Sequence, residues 1–200
     1  MTKARTRRRA DALMEAIHTA TLLELSDRGY TGVSFEGVAR RAQTSKPVLY
    51  RRYRNRAEMV LDAIGQTAAQ QVVAPHKGSL RADVMSVLEQ VNQQFSRFDA
   101  EVYRGVIGES DDSLLDDALN AVGALNSQTM GVILETARAR GELGQGQLPE
   151  RVVLLPLALL RHELLFGHSV DARTIADIVD QVYVPLVRTL SRGEGSGDRL

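Results

Sequence analysis

Three sets of residues in this 200-residue chain could do chemistry. The four histidines, His18, His76, His162 and His168, form neither an H-x-x-x-H nor an H-E-x-x-H pattern, the spacing that sets two imidazoles on one helix face around zinc. His162 and His168 stand six apart and do not share such a face, and His162 beside Glu163 reads as a half-buried pocket or interface residue. The acidic pairs Asp111-Asp112 and Asp116-Asp117 lack the fixed spacing of a calcium loop and suit the negatively charged first turn of a helix. Without cysteine there is no thiolate metal site and no disulfide, which fits a reducing compartment and makes cytoplasm the expected location. No G-x-S-x-G or G-x-x-x-x-G-K occurs, and the glycines of GELGQGQ (141–147) follow a helical pattern where a phosphate loop follows a strand. The chain is therefore expected to be no enzyme and to carry neither metal nor cofactor.

The third set is cationic. In SFEGVARRAQTSKPVLYRRYRNR (34–56), Ser34 suits an N-cap, and Phe35, Val38, Ala39 and Ala42 fall on one face of a short amphipathic helix, leaving Arg40 and Arg41 outward. The periodicity breaks at Gln43-Thr44-Ser45. Ser45 then caps a second short helix with Pro47 in its first turn, where a missing N–H costs nothing. Leu49 and Tyr53, four apart, form its inward face; Pro47, Val48, Tyr50 and Arg51 turn outward, with Lys46 and Arg52 on the flanks. A short helix braced by another and presenting donors outward has the layout of a helix-turn-helix, whose second helix enters the major groove.

Charge distribution points the same way. Residues 1–56 hold 13 Lys/Arg against 5 Asp/Glu, and residues 57–200 hold 12 against 20, so the net charge of zero conceals a basic and an acidic part. A basic part that coincides with the candidate groove-reading helix points to nucleic acid. The competing reading is a helical dimeric scaffold whose basic patch serves an acidic protein partner.

The passage ARRAQTSKPVLYRRYRNRAEM (39–59) resembles the TetR family of transcriptional regulators in its Ala-rich helix, its turn, its Ser-led helix ending in Leu49-Tyr50, its aromatic Tyr53 and its basic Arg56 opening the next helix. The resemblance continues upstream through Arg28-Gly29-Tyr30, where the family closes its first helix. Gln43 stands where the family usually has a turn glycine; a left-handed backbone there would cost about 1 kcal/mol. Glu24 lies on the stripe of Leu13, Ile17 and Thr21, where the family favours an apolar side chain. The resemblance implies a sequence-specific DNA-binding regulator, most simply a ligand-responsive repressor that binds a near-palindromic double-stranded operator as a homodimer. It places Lys46, Pro47, Val48, Tyr50, Arg51 and Arg52 at the groove and its phosphates, Ser34, Thr44 and Ser45 as donors to the DNA backbone, and Arg56 on a phosphate.

The elements that must position these residues are helical throughout. An aliphatic-rich composition with 4% aromatic residues and no Trp suits an all-α fold of about nine helices. Residues 1–9 are basic but precede no apolar run, so they read as a mobile arm and not as a signal peptide. Helices are expected at about 10–28, closed by Gly29, then at 35–42, at 46–53 and at 56–73. Pro75 to Ser79 (PHKGS) marks the clearest boundary. Helices at 80–98, 101–108 and 114–140 follow, then the glycine-rich connection. The expected organisation is a DNA-binding head at 1–56, a connecting helix at 57–75, an effector-binding and dimerisation domain at 76–191, and a flexible tail at 192–200.

Val152 to Leu160 is an uncharged apolar run continued by Leu164, Leu165 and Phe166; at fewer than the roughly 20 residues of a membrane span, and interrupted by Pro156, it is expected to be covered by protein and not by lipid. The last helix, at about 172–190, repeats an apolar stripe. The turn RGEL (140–143) and the closing PLV (185–187) resemble one C-terminal group of TetR-like regulators in which the final two helices of each subunit pair into a four-helix interface. Leu160, Leu164, Val179, Val182 and Tyr183 are the expected interface residues. An unidentified small-molecule effector is implied by the family, with Phe95, Phe98, Tyr103, Met130 and His162 as the candidate pocket.

Overall fold

The computed structural model describes the backbone of residues 2–68, 74–166 and 170–192 and the side chains of residues 10–66, 74–117, 123–166 and 170–192. The tail from residue 193, His168 and the side chains of the basic arm at 1–9 lie outside the described residues. Within them every regular element is a helix: α1 (Thr2–Gly32), α2 (Phe35–Arg41), α3 (Lys46–Tyr50), α4 (Arg56–Ala68), α5 (Leu80–Phe95), α6 (Ala100–Glu109), α7 (Asp112–Ala139), α8 (Glu150–Val153), α9 (Leu155–Phe166), α10 (Ala172–Asp177), a π-helical segment (Ile178–Tyr183) and α11 (Val184–Ser191). The basic arm is thus the first turns of α1, which starts at Thr2 and not at Ala10.

The chain divides into two compact units, Met1–Gln71 with Phe98–Ala118, and Val72–Arg97 with Leu119–Leu200. This differs from the boundary expected after residue 56. The connecting helix α4 and the later helix α6 belong with α1 to α3, because Val102 and Val106 of α6 are buried in the same core as Ile17, Leu25, Tyr30, Val38, Leu49, Tyr53, Met59 and Val60. Gly29 interrupts α1 with a left-handed φ of 64°, a conformation a side chain disfavours, and so swings Tyr30 inward.

The second unit is built on Leu80, Val84 and Leu88 of α5, Met130 and Ile133 of α7, Leu160 of α9, and Ile175, Val179, Tyr183 and Val187 of the C-terminal helices. Ser79 caps α5 by accepting from the Ala82 amide, and Glu142 accepts from the Leu80 amide, so two orphan donors of that helix end are satisfied. Fully buried Asp83 accepts from the Lys77 amide and from Arg140, which also grips Glu142. The glycine-rich connection is a structural staple: Arg138 donates to the carbonyls of Gly144 and Gly146, and Ser191 bonds to the amide of Gly144. A side chain on Gly144 would collide with the Ser191 carbonyl.

Two prolines of the C-terminal region, Pro156 and Pro185, sit where the helix pattern changes. Pro156 falls in the first turn of α9, two residues after Leu154 ends α8, a place that requires no N–H. Pro185 follows the π-helical turn, in which the Val184 amide reaches five residues back to Val179.

Candidate nucleic-acid interface

The interface is assembled from α2 upward. The Ser34 hydroxyl accepts from the Gly37 amide at 3.1 Å and starts the helix, and Val38 and Ala39 are buried. At its end the Thr44 amide donates to the Ala39 carbonyl at 3.0 Å and the Gln43 amide to Arg40 at 3.4 Å, the paired bonds of a Schellman stop. That stop puts Gln43 at φ 50°, so a glutamine occupies the left-handed position that favours glycine.

The turn delivers α3 at once. Ser45 precedes it in an extended conformation, without a side-chain cap bond, and Pro47 lies in its first turn. Leu49 is fully buried and Tyr53 nearly so, while Lys46, Pro47, Tyr50, Arg51 and Arg52 are exposed and Val48 is half-buried. Tyr53, Tyr50 and Lys46 each reach a neighbouring helix. The Tyr53 hydroxyl donates to Asp62 of α4 at 2.7 Å, and His18 of α1 meets the same carboxylate oxygen at 2.9 Å. Burial first, and then the Asp62 bond, push the Tyr53 phenol well above its ordinary range. On the outward side the rings of Phe35 and Tyr50 stack at 4.4 Å, nearly parallel at 6°, and Lys46 lies 3.3 Å from Glu36.

Of the residues expected at DNA, Ser34, Ser45, Lys46, Pro47, Tyr50, Arg51 and Arg52 are exposed and Thr44, Val48 and Arg56 half-buried; Arg41, expected only to face outward, and Arg56, expected on a phosphate, are corrected. Arg41 does not project freely: its guanidinium bonds Glu24, fully buried on the α1 stripe, and Asp27. The two acids hold Arg41 more firmly protonated than usual, Glu24 first. Gly37 is part of that arrangement, because any Cβ there would collide with the Glu24 carboxylate. The polar residue on the stripe is thus a clamp between α1 and α2.

Arg56 is the second correction. Its guanidinium bonds Glu109 of α6 through two nitrogens, donates to the Thr31 carbonyl at 2.8 Å and lies 4.6 Å from the centre of the Tyr30 ring. The Tyr30 hydroxyl donates to the same Glu109 at 2.9 Å. With all three guanidinium nitrogens bonded within the protein and its side chain 24% exposed, Arg56 joins α1, α4 and α6 and is not placed as a phosphate contact. Glu109 was not singled out by the sequence; Gly105, a glycine inside α6 packed on the Tyr30 ring, is the local sign of that close approach.

The expected dimer set in the larger part of the chain does not survive intact. Of the pocket candidates, Phe98 and Tyr103 form an edge-to-face pair in the first unit, while Phe95, Met130 and His162 belong to the second. Met130 is wholly buried core, and exposed His162 leans on Phe166. Of the expected dimer residues, Leu160, Val179 and Tyr183 are fully buried within their own chain and have no surface for a partner; Leu164 is half-buried and Val182 is exposed. Apolar side chains open to solvent in this unit include Phe166, Val182 and Leu190.

Comparison with known proteins follows this geometry closely. Residues 17–63 match the family model described as bacterial regulatory proteins, tetR family, and residues 74–182 match the tetracyclin repressor-like C-terminal domain. An uncharacterized HTH-type transcriptional regulator of Mycobacterium tuberculosis is 27% identical over 177 residues, 88% of this chain and 86% of that protein. The DNA-binding transcriptional repressor TetR of Mycobacteroides abscessus is 27% identical over 189 residues, 92% of this chain and 98% of its own. The fold is shared with a crystal structure of a TetR family transcription regulator, at a TM-score of 0.69 and 21% identity, covering 86% of this chain and 96% of that one. A tetR-family transcriptional regulator from Streptomyces coelicolor gives 0.58 at 18% identity, covering 90% of this chain and 88% of that one.

Proposed function

Because this chain belongs to the TetR family of bacterial transcriptional regulators, a DNA-binding and non-enzymatic class, we propose that α3 is its groove-reading helix and that the protein represses transcription as a homodimer on a near-palindromic operator. The observation that carries this reading is the exposure of Lys46, Pro47, Tyr50, Arg51 and Arg52 on a helix whose inward residues, Leu49 and Tyr53, are locked in the core. Tyr50 and the cations supply donors for guanine, thymine and phosphate acceptors, and Ser34, Thr44 and Ser45 flank them as backbone contacts. Arg56 acts indirectly, by holding α4 to α6.

Selection from a random duplex pool tests the assignment: a symmetric motif should emerge, with affinity falling steeply as salt rises. Binding without sequence preference would favour the scaffold reading, in which the same face serves an acidic protein. The family also implies a small-molecule effector in the second unit. If such a ligand releases the operator, operator must weaken its binding by the same factor. A ligand that binds equally well with and without operator would exclude that form of control.

A further inference from the structure

The first turn of α2 holds two side chains of α3. The Phe35 ring stacks on that of Tyr50, and the Glu36 carboxylate lies 3.3 Å from the Lys46 ammonium. Glu36 is out of character in this place. Its side chain is 70% exposed and that of Lys46 is 52%, so the pair stands in water and contributes little to folding. For binding DNA in general a carboxylate here is unfavourable, because it repels phosphate and occupies a cation that would otherwise displace counterions.

What Glu36 can do is accept. Lys46, Arg51 and Arg52 are donors alone, suited to guanine and phosphate, whereas an ionised carboxylate has only acceptor oxygens. The major groove offers amino donors on cytosine and adenine, and a carboxylate suits the cytosine N4 amino group. The first residues of a recognition helix are those that reach base edges, and Lys46 is the first residue of α3. Its ion-pair partner is therefore already beside the bases that Lys46 would meet.

We propose that Glu36 is a specificity residue of the operator interface: paired with Lys46 in the free protein and on unrelated DNA, it releases Lys46 on the cognate site and accepts a hydrogen bond from a cytosine amino group. The inference rests on α3 being the groove-reading helix. It makes the ion pair a gate on indiscriminate binding. On a wrong sequence Glu36 finds no cytosine amino group at that position and keeps Lys46 from the phosphates; on the right one both side chains gain partners.

The test selects duplexes from a random pool with the full-length wild-type chain, with Glu36→Ala and with Glu36→Gln. Wild type should show one position in each half-site where cytosine is preferred about tenfold or more. Glu36→Ala should flatten that position alone. Glu36→Gln should turn its preference toward adenine, whose N6 and N7 an amide can bond together. Both variants should bind unrelated DNA about five- to tenfold more tightly near 0.1 M salt, with a salt slope steeper by about one, as the freed Lys46 takes a phosphate. Glu101→Gln, which removes the same charge from α6, should leave preference and slope as they are. Position-by-position preferences unchanged in both Glu36 variants would overturn the proposal, even if affinity rose uniformly. A wild type that enriches no motif would overturn it together with the groove-helix reading, whereas a motif without Glu36 dependence removes this inference alone.

Discussion

Arg51 and Arg56 come from the same basic stretch, and the structure gives them opposite work. Arg51→Ala should cost about 1 to 3 kcal/mol on the operator and far less on unrelated DNA, measured as a ratio of dissociation constants. Equal losses on both would make Arg51 a phosphate contact. Arg56→Ala should leave the salt slope unchanged and lower stability by about 1 to 2 kcal/mol, through the lost Glu109 pair and the Tyr30 ring contact. A slope lower by one unit would return Arg56 to the DNA. Gln43 offers a change in the other direction, because its left-handed φ of 50° is one that glycine adopts without steric cost. Gln43→Gly should raise stability by up to about 1 kcal/mol in urea unfolding, with operator preference unchanged.

Among the elements, α6 shows best how charge fixes position. Its Glu109 carboxyl is held below its ordinary value, chiefly by the Arg56 guanidinium, so its contribution is complete above the unfolded-state pKa and lost as pH falls through the lower folded one. Tyr30, raised from 10.0 to about 12 by burial and then by Glu109, behaves oppositely. Its contribution is complete below pH 10 and lost as pH rises through about 12. Tyr30→Phe should therefore be less stable than wild type at neutral pH, and the gap should narrow between pH 10 and 12 in urea unfolding series. A constant gap would show that the phenol takes no part. The same elements show what a sequence discloses. Ser34, Pro47 and Gly29 act on the backbone within a turn of themselves and mark real helix boundaries or breaks, while Ser45 stands at a boundary without the cap bond expected of it. Glu109 meets Arg56 across 53 residues of chain, and no local periodicity carries such a pairing. Arg41 looked outward for a related reason, since helical spacing places it on a face without showing that Glu24 of another helix reaches that face. Leu160, Val179 and Tyr183 expose a different limit: in a segment apolar nearly all round, spacing cannot say which side a protein keeps for itself.

For the molecule as a whole that limit redirects the dimer experiment. Leu160→Glu would place a charge in the core and should unfold the second unit instead of separating subunits. Phe166→Glu with Val182→Glu instead alters side chains that are 70% and 41% exposed, and should give a folded monomer with greatly weakened operator binding in sedimentation and footprinting. Wild type should be a dimer whose footprint covers two half-sites about one helical turn apart, or a multiple of it, since a two-fold protein must meet a two-fold site. A double variant that stays dimeric would move the interface elsewhere. One further consequence follows from the brevity of α3. A helix of five residues, Lys46–Tyr50, has no stability of its own and takes its shape from Pro47 in its first turn and from Leu49 and Tyr53 beneath it. Its exposed residues are thus nearly free of any duty to the fold. Lys46, Arg51 and Arg52 can be exchanged at little thermodynamic cost, so a gene duplicate of this regulator could acquire a new operator through a handful of codons while inheriting the rest of its architecture unchanged.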